Sequence, residues 1–265
     1  MPVPAQNQQY ENFIIRYKQN THGGFDYESD ETFQIVNDLF GILYVPMQEV
    51  PELELSSYSY SSIPRCYTYM DTGALSTSGV TRLHNHPYLK LQGKGTLVAV
   101  IDSGIDYLHP AFHNGVQSKI FSIWDQTLEG GADGRIPFGR EFGRQQIEQA
   151  LASENPWEIV PSSDTNGHGT RSAATAAGYR IEKDNFCGAA PEAEIVIVKL
   201  KQAKNYLRDF YLLPRDIDIF QEDDIMLAIS YVLFIAQEQQ MPLSICIGLG
   251  TSMGAHQGEG PLNEY

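Results

Sequence analysis

The chain has 265 residues with a formal net charge of −15. Hydrophobic residues make up 42% and charged residues 19%, the balance of a globular chain with room for one sizeable core and a small accessory unit. So acidic a surface excludes a nucleic-acid binder, because phosphate recognition needs clustered Lys and Arg. No apolar run reaches the ~20 residues that span a bilayer.

Cys66, Cys187 and Cys246 stand far apart, so neither a disulfide framework nor a zinc site is expected, and each reads as a small buried hydrophobe. His84, His86, His109, His113 and His256 have no metal-ligand spacing, and no metal or other cofactor is expected. Met1 to Gln9 lacks the basic and apolar regions of a secretory signal, from which a cytoplasmic protein is expected.

In chain order, Phe13–Tyr17 reads as a strand. Phe33, Val36, Leu39 and Phe40 share one helical face, which predicts a short helix over Asp30–Phe40 ended by Gly41. Ile42–Val45 predicts a second strand stopped by Pro46, and the alternation of Leu53–Ser62 a third. These elements make a compact α+β unit too small to stand alone. Asp71–Val80, poor in apolar residues and rich in Thr, Gly and Ser, reads as an exposed linker, the kind of segment proteases cut.

Beyond Gly79 the pattern changes. Thr96–Ile101 and Glu194–Leu200 are short β-rich apolar runs, as strands buried on both faces require. Gly169–Gly178 suits a helix of small side chains, and Asp223–Gln240 keeps Ile225, Ala228, Ile229, Val232 and Ile235 in helical register. Leu243–Leu249 predicts a further strand. This alternation predicts an α/β fold, a parallel sheet with helices on both faces. The acidic run Glu222–Asp224 reads as a helix N-terminus.

Two segments carry chemistry. Asp102 ends an apolar strand and is followed by Ser103-Gly104-Ile105-Asp106; functional groups in open α/β sheets gather at strand carboxyl ends. His168 stands between Gly167 and Gly169 at the head of the small-residue helix, where glycine lets neighbouring backbone approach the imidazole. Either alone has a bland reading, as a turn aspartate or a structural histidine. Taken in order, Val100-Ile101-Asp102-Ser103-Gly104, His109-Pro110 and Asn166-Gly167-His168-Gly169-Thr170 resemble the subtilisin-like serine peptidases, the subtilases. Gly188-Ala189-Ala190-Pro191 and Ile245–Gly250 match further, and Ile120–Thr127 is similar to the clostridial, germination-type members.

The resemblance implies an endopeptidase in which Asp102 orients His168 and His168 takes the proton of an attacking serine, the arrangement for which subtilisin is itself one of the standard examples. It implies substrate binding along Gly248, Leu249 and Gly250, a peptide or protein substrate, and an intramolecular propeptide. No nucleic acid or membrane partner is implied, and a cytoplasmic or spore-associated location is. Residues 1–75 then correspond to a propeptide-like α+β unit with its linker, and 76–265 to the N-terminal part of the catalytic domain.

Gly250-Thr251-Ser252-Met253 looks like the family's nucleophile motif. Gly254, Gly258, Gly260 and Pro261 follow at once and oppose the helix that the true motif opens. The chain is therefore expected to stop before the nucleophilic serine, with a C-terminally incomplete catalytic domain. The alternative expectation is an inactive subtilase-like protein that binds or regulates a partner.

Overall fold

A computed structural model describes residues 3–16, 32–50, 53, 58–69, 91–130, 135–184, 186–254 and 257–265. The expected linker over Asp71–Val80 lies outside the described residues.

The framework is a five-stranded sheet. Its strands are β5 (Leu97–Asp102), β6 (Ile120–Asp125), β7 (Arg140–Gly143), β8 (Glu194–Lys199) and β10 (Leu243–Ile247), in the order β10-β5-β8-β6-β7. All neighbours are parallel except β7, which runs antiparallel at the edge. β5 is buried along its whole length, so it can be apolar on both faces. Leu97, Ala99 and Ile101 join one core with helix α5 (Glu222–Gln239). Val98 and Val100 point the other way, into a core with helices α1 (Arg144–Leu151) and α3 (His168–Ala177). The strand period of two thus feeds two cores from one sheet.

The N-terminal part adds an antiparallel sheet of β1 (Tyr10–Arg16), β2 (Phe33–Ile35) and β3 (Phe40–Pro46), in the order β1-β3-β2. Ile14, Val36, Phe40, Ile42 and Tyr44 share the core that holds α5. The helix expected over Asp30–Phe40 is not found where that segment is described; its apolar residues sit in β2, a turn and the start of β3. Asn37 decides this. Its side-chain oxygen accepts from the backbone N–H of Leu39 and Phe40, closing a tight turn that lets Ile35 pair with Gly41. Likewise Leu53–Ser62, where it is described, holds a 3-10 turn, Tyr60–Ser62, and no strand. The other expected elements stand within a few residues of their expected ends.

Three short strands join the two parts: β4 (Cys66–Tyr69), β9 (Phe220–Gln221) and β11 (Leu249–Gly250). β4 lies between the other two and is antiparallel to both. Two short helices, α2 (Pro156–Ile159) and α4 (Asn205–Phe210), and the terminal turn α6 (Pro261–Glu264) complete the fold. Among the described residues no helix is long and apolar enough to cross a membrane.

Candidate active site

Asp102 ends β5 and is 1% exposed; His168 opens α3 and is 8% exposed. The imidazole Nδ1 lies 2.8 Å from Asp102 Oδ1 and 2.9 Å from Oδ2. A carboxylate only accepts, so Nδ1 carries the proton and the neutral ring presents Nε2 as the base. The backbone N–H of Ser103 donates to Asp102 Oδ1 at 2.7 Å and fixes the carboxylate plane.

A second carboxylate, to which the sequence reading assigns no role, assembles this corner. Asp164 Oδ1 accepts from the Ser103 hydroxyl at 2.8 Å and from the Gly167 N–H at 3.0 Å. Asp164 Oδ2 accepts from the hydroxyl and the N–H of Thr170 at 2.6 and 2.8 Å. Ser103 Oγ in turn accepts from the Gly169 N–H at 2.9 Å. Burial alone would push the Asp164 carboxyl up, yet the hydrogen bonds from Thr170, Ser103 and Gly167 hold it below the usual carboxylate range. Asp164 therefore ties the end of β5 to the start of α3, the two elements that carry the dyad. Its four residues of separation from His168 were the available signal, but that spacing alone does not distinguish it from a cap or turn aspartate.

The glycines beside His168 have separate tasks. Gly167 has φ +78°, in the left-handed region. A Cβ on Gly169 would come within 2.2 Å of the Gly104 carbonyl oxygen, so only glycine lets α3 start so close to the β5 loop.

Gly248, between β10 and β11, faces the dyad. A Cβ there would lie 2.7 Å from Asp102 Oδ2 and 3.0 Å from His168 Cε1. The next residues, Leu249 and Gly250, pair with Tyr69 and Thr68 of β4. On its other edge β4 pairs through Cys66 and Tyr67 with Gln221 and Phe220. Beside it runs a cleft of about 670 Å³, lined by Tyr67, Tyr211, Leu213, Ile219 and Met253 among others. Ser252 is exposed in the bend after β11 and lines this cleft.

The acidic run at the start of α5 is buried, with Glu222 and Asp223 at 0% and Asp224 at 1% exposure. Lys201 pairs with Asp224, and Asn12 of β1 donates to Asp223. Lys204 Nζ donates to the carbonyl oxygens of Pro4 and Tyr10 and to Asn12 Oδ1, at 2.8, 3.1 and 2.6 Å. The sequence reading of a helix N-terminus is correct, but the run is internal and its partners come from both parts of the chain. Among the described residues no cluster of three or more His, Cys, Asp or Glu is arranged to hold a metal ion.

Residues 93–211, which include both Asp102 and His168, match the subtilase family of S8 peptidases. Two similar curated proteins are from Arabidopsis thaliana. The subtilisin-like protease SBT1.4 is 30% identical over 125 residues, 41% of this chain and 16% of that protein. The subtilisin-like protease SBT1.9 is 28% identical over 142 residues, 48% of this chain and 18% of that protein. The chain thus spans less than a fifth of the length of these relatives. The structure of the Clostridium perfringens CspB protease is similar with a TM-score of 0.56 and 28% identity, over 69% of this chain and 34% of that one. Family match, sequence relatives and backbone likeness agree, and the segment that holds the dyad, residues 93–211, belongs to the subtilase family, a serine peptidase family.

Proposed function

We propose that this chain is the propeptide and the first part of the catalytic domain of a serine endopeptidase that cleaves its own chain after β4. The observation that carries this reading is the union of the Asp102–His168 pair with an adjoining strand pairing. β4 lies on β11 as an added strand, the manner in which a peptide substrate is held, and β11 continues from the glycine that abuts the dyad. In this reading residues 1–75 are the propeptide unit and its linker, residues 76–265 are catalytic, and Gly248, Leu249 and Gly250 line the substrate strand. The resemblance to germination-type subtilases suggests a cytoplasmic or spore-associated protein.

The chemistry follows from the geometry. Asp102 holds the Nδ1–H tautomer of His168 and stabilises the imidazolium formed when Nε2 takes a proton from the attacking serine hydroxyl. That serine we assign to sequence other than these 265 residues. Ser252 is exposed in a bend that lines the cleft beside β4, and within nine residues of it stand Gly254, Gly258, Gly260 and Pro261, with no helix among the described residues before Pro261.

Intact-mass spectrometry of the full-length protein tests the reading. Wild type is expected to be cut between Tyr69 and Gly79, and His168→Ala to remain joined. Equal cutting of both would assign maturation to another protease. Fluorophosphonate labelling of the 265 residues is expected to give no adduct, and stoichiometric labelling at Ser252 would make that residue the nucleophile.

A further inference from the structure

Arg65 immediately precedes β4 and is 5% exposed, an unusual depth for a guanidinium. Its surroundings are shaped for it. A Cβ on Gly254 would meet the guanidinium at 2.6 Å, and one on Gly260 at 1.8 Å. Both glycines have positive φ, +91° and +118°, so both lie in backbone that disfavours any other residue. The guanidinium thus packs closely against two glycines. Arg65 Nη2 donates to the Glu259 carbonyl oxygen at 3.3 Å, and Nε lies 3.9 Å from Glu222 Oε2.

Glu222 also reads the backbone. Its Oε2 accepts from the Arg65 N–H at 3.1 Å, and its own N–H donates to the Arg65 carbonyl at 2.8 Å. Its Oε1 accepts from the Leu262 N–H at 3.2 Å, which brings the 259–262 segment against the same carboxylate. Among the described residues, the groups that hold Arg65 therefore belong to the part of the chain that follows residue 76. Lysine has no planar fork to lie between Gly254 and Gly260 while reaching both the carbonyl and the carboxylate.

We propose that this cradle is a guanidinium-selective subsite that selects peptides bearing arginine three residues before the residue paired with Gly250. It rests on the reading of β4 as a substrate-like strand; Arg65 is then the occupant that the chain supplies to its own site, and substrates in trans are selected by the same cradle.

The test has two arms. In the 265-residue chain, Arg65→Ala is expected to lower the denaturation midpoint, and methylguanidinium to restore at least half of the loss where methylammonium at equal concentration does not. Restoration by both cations alike, or no loss, would overturn the cradle. Should Arg65→Ala fail to fold, Arg65→Lys and Arg65→Gln replace it, and a Lys chain as stable as wild type would overturn guanidinium selectivity. In the full-length protease, peptides based on residues 61–73 with Arg at the position of Arg65 are expected to show kcat/KM about tenfold or more above their Gln counterparts. Equal values would overturn the substrate role. Selective rescue with cleavage of neither peptide would uphold the cradle while refuting the peptidase reading.

Discussion

Two carboxylate sites in this molecule are built on opposite plans. At the dyad, Asp102 and Asp164 are satisfied by hydrogen bonds from β5, α3 and the loops beside them, all within residues 102–170. At the head of α5, Glu222 and Asp223 draw on Arg65 and Asn12, and Lys204 reaches back to Pro4, Tyr10 and Asn12. The first site is local and neutral donors do most of the work. The second spans two parts of the chain and includes an ion pair across them, Arg65–Glu222. A buried ion pair adds little net stability but is costly to break on one side. The second plan therefore couples the integrity of α5 to the presence of the N-terminal sheet, and leaves the dyad independent of it.

The sharpest break is chemical. Asp102→Asn in the full-length protease is expected to lower turnover by about 10⁴-fold, because the ring loses the partner that selects its tautomer. Its urea denaturation midpoint is expected to move little; a large fall would show that the dyad is a stability element as well. On the other side, Lys204→Met is expected to destabilise the chain by about 3–5 kcal/mol, since the three oxygen acceptors at Nζ are left buried without their donor. Equilibrium denaturation measures this, and a cost near zero would remove the contrast between the sites.

Asp164→Asn is expected to cost about 1–3 kcal/mol at pH 7, by weakening the charged acceptor of four donors. Its folded carboxyl is held low, so the stabilisation it gives is present above the ordinary carboxylate range and lost as pH falls through the folded value. The difference between wild type and Asp164→Asn should therefore shrink as the pH is lowered toward 3. Glu11 should show the opposite sign. It is 7% exposed, its Oε2 is buried without a hydrogen-bond partner, and burial raises its carboxyl to about 7, against an opposing pull from Lys204. A raised folded value means that the folded state binds the proton more tightly, so Glu11 increasingly opposes folding as pH rises from about 4.5 to 7. Glu11→Gln should raise the thermal midpoint at pH 8 and leave it nearly unchanged at pH 5. Equal shifts at both values would mean that Glu11 is already ionised in the folded protein at pH 5.

The sequence by itself determined the framework and pointed to Asp102 and His168, which the fold brings into hydrogen-bond contact. β5, β8, α3, α5 and β10 are long or strongly patterned, and their local preferences agree with their packing. Asp102 and His168 were legible because the motifs that hold them, taken in order, resemble the subtilases, whereas their element boundaries alone left a turn aspartate and a structural histidine open. Where a polar side chain competes with the apolar pattern, the pattern misled. The helical spacing of Phe33, Val36 and Phe40 yields to the Asn37 turn, because two hydrogen bonds to backbone N–H close a hairpin that β3 then completes. Only the tertiary structure decided the rest. Asp164 gains its role from Ser103, sixty-one residues away, and Arg65 meets Glu222 across one hundred and fifty-seven. The placing of β4 between β9 and β11 is likewise a pairing of distant edges, made by backbone groups that every residue carries. Chain neighbours record propensity and period, whereas the partners of a buried charge are set by which surfaces meet once the cores have formed.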